Sequence, residues 1–374
     1  MQVNMSYDCD RHAKLLVDHC TDVKEGDMVV VKAPAVATPL TTAIYERLGE
    51  RGAMPLKISI PSKPTRAFLR TIDNDALETP QHLFEVMKAA DVIVQVGGST
   101  NVAELSDLPA EDMQAFSKIN KPLGDAQQDS RWVTTLYPAS GNAQKAEMST
   151  SAYQEFVHRA VNRDWAAQRE FQAKLVDRLE SAETVRIVAG DETDIRMRID
   201  GNRIVNEYAE RNMPGGEVYT APIPDSVEGS VCFDKPVMAM GREIQNARLE
   251  FEDGEVIAHD ADQNADVLAS ILGTDEGAKR LGELGIGMNR GIDRFTYNML
   301  FDEKMGDTIH LAVGRSIEKS VRDCNDPNES AIHKDMIVDM STDSRIELDG
   351  DVVQRNGTFV FEEEEDTNTP ERTQ

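Results

Sequence analysis

LGELGIGMNRGI (residues 281–292), MLFDEKMGDTIHLAVG (299–314) and SAIHKDM (330–336) make one region dense in groups that bind metal ions. Thr308 to Gly314 alternates: Ile309, Leu311 and Val313 fall on one side of a strand, His310, Ala312 and Gly314 on the other. The small residues beside His310 leave room for something to approach its imidazole. His333 and Asp335 are two positions apart, so a strand points both side chains the same way. Glu283 and Glu303 lie in the same region, and Glu217, in NMPGGEVYTAPIPDS (212–226), is a sixth candidate. Glycines next to Glu217 and Glu283 let the backbone come close or turn sharply. Mixed carboxylates and imidazoles suit a borderline divalent cation such as Zn²⁺, Co²⁺ or Mn²⁺. More than four of them in one region point to two ions, and two ions point to a hydrolase.

Working back from this region, the pattern is one of short alternating strands. Val185–Gly190 and Asp194–Ile199 alternate across a short polar turn; Val231–Phe233, Arg248–Glu252 and Val256–Ile257 continue the series. Asp253-Gly254 between the last two reads as a hairpin turn. A helix is expected near Asn264 to Leu281. The second half is therefore β-rich and mostly antiparallel. Earlier, Ser151 to Glu180 carries apolar residues at helical spacing, from Phe156 to Leu179, and is expected to bridge two domains.

The first half alternates strand and helix. Residues 8–20 have helical spacing. Met28–Val31 is a buried strand, Thr38 to Gly49 an amphipathic helix closed by Gly49, and Leu56–Ile60 a second strand ending at Pro61. A helix at His82 to Ala90 precedes the strand Val92–Val96, and Trp132–Pro138 extends the set. That order describes a parallel sheet covered by helices. Gly97-Gly98-Ser99-Thr100 matches neither nucleotide-binding glycine pattern and is expected to be a tight strand-to-helix turn. His12, His19, His82 and His158 sit on the helices of this half and are expected to be core or solvated histidines; His259 is expected at the surface.

At 374 residues the chain is long enough for two cores, and 40% hydrophobic residues can fill both. The expected division is an α/β domain with bridging helices over 1–180, a β-rich metal-binding domain over 181–361 and a flexible acidic tail over 362–374. The formal net charge is −27, from 67 acidic against 40 basic residues. Such a balance argues against nucleic acid and anionic membranes as partners. The acids are spread along the chain, which favours solubility in high salt, and so a halophile, over steering of cationic substrates to a cleft. Cys9, Cys20, Cys232 and Cys324 show no CxxC spacing and read as reduced thiols of a cytoplasmic protein. No signal-peptide pattern and no run approaching ~18 apolar residues is present.

NMPGGEVYTAPIPDSVEG, LGELGIGMNRGI, LFDEKMGDTIHLAVG and SAIHKDM occur in the order that resembles the M29 metallo-aminopeptidases, the aminopeptidase T group; AQKAEMS and ETDIRMRIDG extend the match over most of the chain. The resemblance implies an α/β N-terminal domain, a metal-holding C-terminal domain and a homodimer. It implies that Glu217, Glu283, His310, His333 and Asp335 hold two divalent ions and that Glu303 is the catalytic carboxylate. Peptides with a free N-terminus are the implied substrates. The sequence departs from the family at Ile317, seven residues beyond His310, where a tyrosine is common; Tyr297 and Arg315 are the candidate substitutes. Two other readings stay open: a metal-binding homologue without turnover, and a two-metal hydrolase of another amide or a phosphoester.

Overall fold

The computed structural model describes residues 7–363 and divides into two compact units, one reaching Arg163 and including Ala209–Gly215, the other formed by Asp164–Tyr208 and the chain from Gly216 on. Of the tail expected to be flexible over 362–374, residues 364–374 lie outside the described residues, whereas Glu362 is held, accepting from Arg290 and from the Phe359 amide (2.9 Å each).

The first unit is built on Val29-Val30-Val31, all nearly fully buried in the strand Met28–Lys32. A strand hidden on both faces suits the inside of a parallel sheet. Its neighbours are Met54–Ile58 on one side and Val92–Gly97 on the other, followed by Arg131–Leu136 and the short Asn212–Met213, all parallel. The helix Thr38–Arg51 runs past Gly49 and is closed by Gly52, whose φ of +73° is the left-handed cap that glycine adopts without strain. Gly98 does turn the chain out of its strand (φ +139°), but the next helix begins only at Ala110, so the expected tight strand-to-helix turn is a longer irregular connection.

His12 lies in this core. The Thr135 hydroxyl donates to the Met213 carbonyl (2.7 Å), so it must accept from His12 Nε2 (2.8 Å). His12 Nδ1 then accepts from the Tyr7 hydroxyl (2.6 Å). The ring is therefore neutral, and burial, helped by nearby His158, pushes its pKa down to about 3. Between pH 6.5 and 3 the unfolded chain takes up a proton that the folded ring refuses, so stability falls as pH falls through that window. The cost reaches on the order of 5 kcal/mol at the acid end. A His12→Gln variant should start less stable at pH 7 and show a flatter loss of stability down to pH 3, measured by urea unfolding; an unchanged slope would contradict this assignment.

In the second unit, Asp164 caps the helix Trp165–Glu180 by accepting from the Ala166 and Ala167 amides (3.1 Å each). This helix, expected to bridge from the first domain, packs its Leu175 and Leu179 into the core of the second unit, whereas Thr150–Val161 belongs to the first. An eight-stranded antiparallel sheet contains Thr184–Ala189, Thr193–Arg198, Glu228–Phe233, Ala247–Glu252 and Glu255–Asp260. Asp253 and Gly254, at φ +50° and +77°, make the expected hairpin turn. The helix Ala265–Leu272 ends well before Leu281, which instead opens a strand.

That strand, Leu281–Gly287, is the centre of a five-stranded antiparallel sheet. The order is His333–Asp339, Thr308–Gly314, Leu281–Gly287, Glu217–Thr220 and Val205–Glu207. Its front face carries Leu284, Ile286, Ile309, Leu311, Met336 and Val338 into the same core as the eight-stranded sheet. Period two then puts Glu217, Glu283, His310 and Asp335 on the back.

Candidate metal centre

Register sets the back face. Gly285 pairs with His310 on one side and Tyr219 on the other; Gly287 pairs with Glu217; Ala312 lies between Glu283 and Asp335; Gly314 pairs with His333. The missing side chain of Gly285 makes the arrangement possible, because a Cβ there would lie 2.0 Å from Cε1 and Nε2 of the His310 ring. The imidazole therefore lies over the glycine and reaches the next strand. Its Nε2 stands 3.0 Å from Glu283 Oε1 and 3.6 Å from Glu217 Oε2. On the other side of Glu283, Oε2 is 3.6 Å from His333 Nε2, which is 3.3 Å from Asp335 Oδ1. The Nδ1–H of His333 donates to the Arg315 carbonyl (2.7 Å) and so orients the ring with Nε2 toward the carboxylates.

Two donor groups result, Glu217–Glu283–His310 and Glu283–His333–Asp335, each with its ligand atoms within 4.8 Å of one another. Glu283 belongs to both, one oxygen directed to each histidine. Five of the six residues singled out from sequence thus meet on one sheet face. The sixth, Glu303, follows the short helix Met299–Asp302 and reaches the group through Lys304, whose ammonium contacts Glu303 Oε1 and Glu217 Oε1, the latter at 3.2 Å.

Glu217 and Glu283 are almost completely buried, and among the described residues Glu217 Oε2, Glu283 Oε2 and His310 Nδ1 have no hydrogen-bond partner. Buried carboxylate oxygens left in this state are costly unless a cation meets them. Without a metal the group instead holds protons. Burial lifts Glu217 to about 8 against the pull of Lys304, and burial also raises Glu283. Burial alone would lower His310, but the Glu283 hydrogen bond and the surrounding carboxylates override it and raise the ring to about 10. Burial likewise opposes charge on Asp335, yet the His333 hydrogen bond and charge hold it down at about 2. The donor types and the partnerless oxygens fit divalent cations of the Zn²⁺, Co²⁺ and Mn²⁺ kind.

Three residues on or beside this face were not read from sequence as part of the site. Lys304 is completely buried, and Glu207, buried opposite Glu217 in register, adds another carboxylate nearby. Tyr219, two residues from Glu217 and 8% exposed, shares the back face. The proposed substitutes for the phenol absent at Ile317 are less well placed by sequence alone: Arg315 has an exposed side chain and contributes its carbonyl, while Tyr297 sits at φ +59° edge-on to Phe295. Strand alternation from Glu217 would have found Tyr219.

The chain matches the model of the thermophilic metalloprotease (M29) family over residues 6–359. It is 25% identical to Aminopeptidase 2 of Geobacillus stearothermophilus, over 94% of this chain and 98% of that one. The structure of AmpT from Thermus thermophilus superposes with a TM-score of 0.84 at 22% identity, covering 94% of this chain and 98% of that chain. The structure of 2,5-dihydroxypyridine dioxygenase from Pseudomonas putida shares the fold more distantly, with a TM-score of 0.61 at 15% identity over 94% and 96% of the two chains. A fold common to two chemistries leaves the choice to the donor set and the family match. The chain belongs to the M29 family of thermophilic metalloproteases. No helix among the described residues is long and apolar enough to cross a membrane.

Proposed function

We propose that the two donor groups hold two divalent ions and that the pair, with Glu303, releases N-terminal residues from peptides. The enzyme is a metallo-aminopeptidase by its family and by relatives of nearly equal length; the two-ion mechanism and the residue roles are the reading put forward here. The observation that carries it is Glu283, whose two oxygens face two histidines on opposite sides. Charge supports the same count. Glu207, Glu217 and Glu303 crowd Lys304, and Glu283 and Asp335 crowd the two histidines, an acidic surplus that suits more than one divalent cation.

Bound divalent ions supply Lewis acidity for the scissile carbonyl and ease the deprotonation of water. Glu217, Glu283 and His310 hold one ion, and Glu283, His333 and Asp335 the other. Glu303, tied to Lys304 through Oε1 and only partly buried, keeps Oε2 for proton transfer from the attacking water to the leaving amine. A substrate's free α-amine, set against this carboxylate-rich face, makes the first peptide bond the one cleaved.

The test is hydrolysis of aminoacyl anilides and of free and N-acetylated peptides in high salt, by metal-free, metal-loaded and Glu303→Gln protein. The loaded enzyme should release only the first residue and spare acetylated peptides. Glu303→Gln should keep both ions and lose about 10²–10⁴-fold in kcat. Ile317, where a phenol is common in the family, favours one alternative, a metal-binding protein without turnover; folded protein that binds two ions and cleaves nothing would establish that instead.

A further inference from the structure

We propose that Lys304 is the positioning residue of this centre: its buried ammonium holds Oε1 of Glu217 and the Glu303 carboxylate, so that Glu217 meets metal through Oε2 alone and Glu303 stays a base instead of becoming a ligand. This rests on the two-ion reading above. The geometry divides the two oxygens of Glu217 between two tasks. Oε1 lies 3.2 Å from Lys304 Nζ, while Oε2 has no hydrogen-bond partner and faces His310. Lysine is almost never fully buried unless paired, and here it is 0% exposed with its partners Glu217 and Glu303 in the metal region.

The surrounding chain is built to keep the ammonium in place. The Lys304 amide donates to the Phe301 carbonyl (3.0 Å), and its own carbonyl accepts from the Asn289 amide (3.0 Å). Just before it, Asp302 accepts from the Thr296 amide and hydroxyl and from the Asn298 amide, which fixes the turn leading to Glu303. Across from Lys304, Gly216 packs so closely on Asn289 that a Cβ would lie 2.6 Å from the Asn289 Cβ, and the Met288 amide donates to the Gly216 carbonyl (2.8 Å). Glu217 therefore starts its strand alongside the segment that carries Lys304. Without the ammonium, Glu303 would be a free carboxylate next to a cation site, and Glu217 would have two free oxygens to offer one ion. Either change adds a ligand atom, and the first also removes the base.

The experiment loads wild type, Lys304→Met, Lys304→Arg and Glu303→Gln with Co²⁺ and reads the visible spectrum, the stoichiometry by calorimetry and the kinetics on the peptide panel. Lys304→Met should still bind two equivalents, show weaker absorption bands as an extra oxygen enters the coordination shell, and lose about 10–100-fold in kcat with little change in KM. Lys304→Arg should recover part of both. Folded Lys304→Met with the wild-type spectrum and kcat would overturn the proposal, since a lysine that merely fills space moves neither. Should Lys304→Met not fold, the comparison of wild type with Glu303→Gln decides: identical Co²⁺ spectra support a non-ligand Glu303, and a changed spectrum or a lost equivalent overturns it. Wild type that binds a single ion, or cleaves no peptide, counts against the two-ion aminopeptidase reading itself, and the spectral comparison still reports on the lysine.

Discussion

Gly285→Ala should leave a folded protein that cleaves peptides at least about 100-fold more slowly and binds one equivalent of metal fewer. The new Cβ would lie 2.0 Å from the His310 ring, far inside contact distance, and the ring belongs to the middle of a buried strand. The backbone on both sides is held in a five-stranded ladder, so the imidazole has to move instead. A displacement of about 1 Å at a reacting centre is enough for a loss of that order. Folding should survive because Leu284 and Ile286, on the front of the same strand, keep their core contacts. Calorimetric stoichiometry, kcat and thermal unfolding measured together check the claim. A variant with two bound ions and wild-type turnover would mean that the ring does not need the space over Gly285.

Glu283→Gln is expected to be the most damaging single exchange of a ligand, with both equivalents weakened and turnover lost by about 10³-fold or more. Every other candidate ligand belongs to one donor group, whereas Glu283 belongs to both. The matching expectation concerns stability. Burial raises the pKa of Glu283, so its charge is a liability in metal-free protein. Metal-free Glu283→Gln should therefore unfold at the same temperature as metal-free wild type or higher. In excess metal the order should reverse, because only wild type gains the stabilisation that tight binding to the folded state gives. Glu217→Gln is the comparison: it should weaken one equivalent. Equal loss in the two variants would argue against a shared carboxylate.

Much of this centre was legible before any coordinates. Alternation in Thr308–Gly314 and the two-residue spacing of His333 and Asp335 fix which side chains share a face, since strand geometry leaves no other choice. The parallel sheet followed from the alternation of strand and helix along the first half. What stayed hidden depends on contacts between strands distant in sequence. Gly285 reads as one more glycine until His310 is placed over it, and Lys304 reads as a surface lysine until Glu217 is found beside it. Element ends were missed for local reasons. Gly49 lies inside its helix because the left-handed cap falls at Gly52, and the helix expected to reach Leu281 stops at Leu272, before Gly273.

The sheet that carries the centre has its oily side and its charged side on alternate residues of the same strands. Neighbouring positions therefore meet different physical demands. An exchange at Glu283 alters chemistry with little effect on the oily core, and an exchange at Leu284 or Ile286 does the reverse. Lineages that carry this architecture can revise their reaction one residue at a time without first finding a new way to fold.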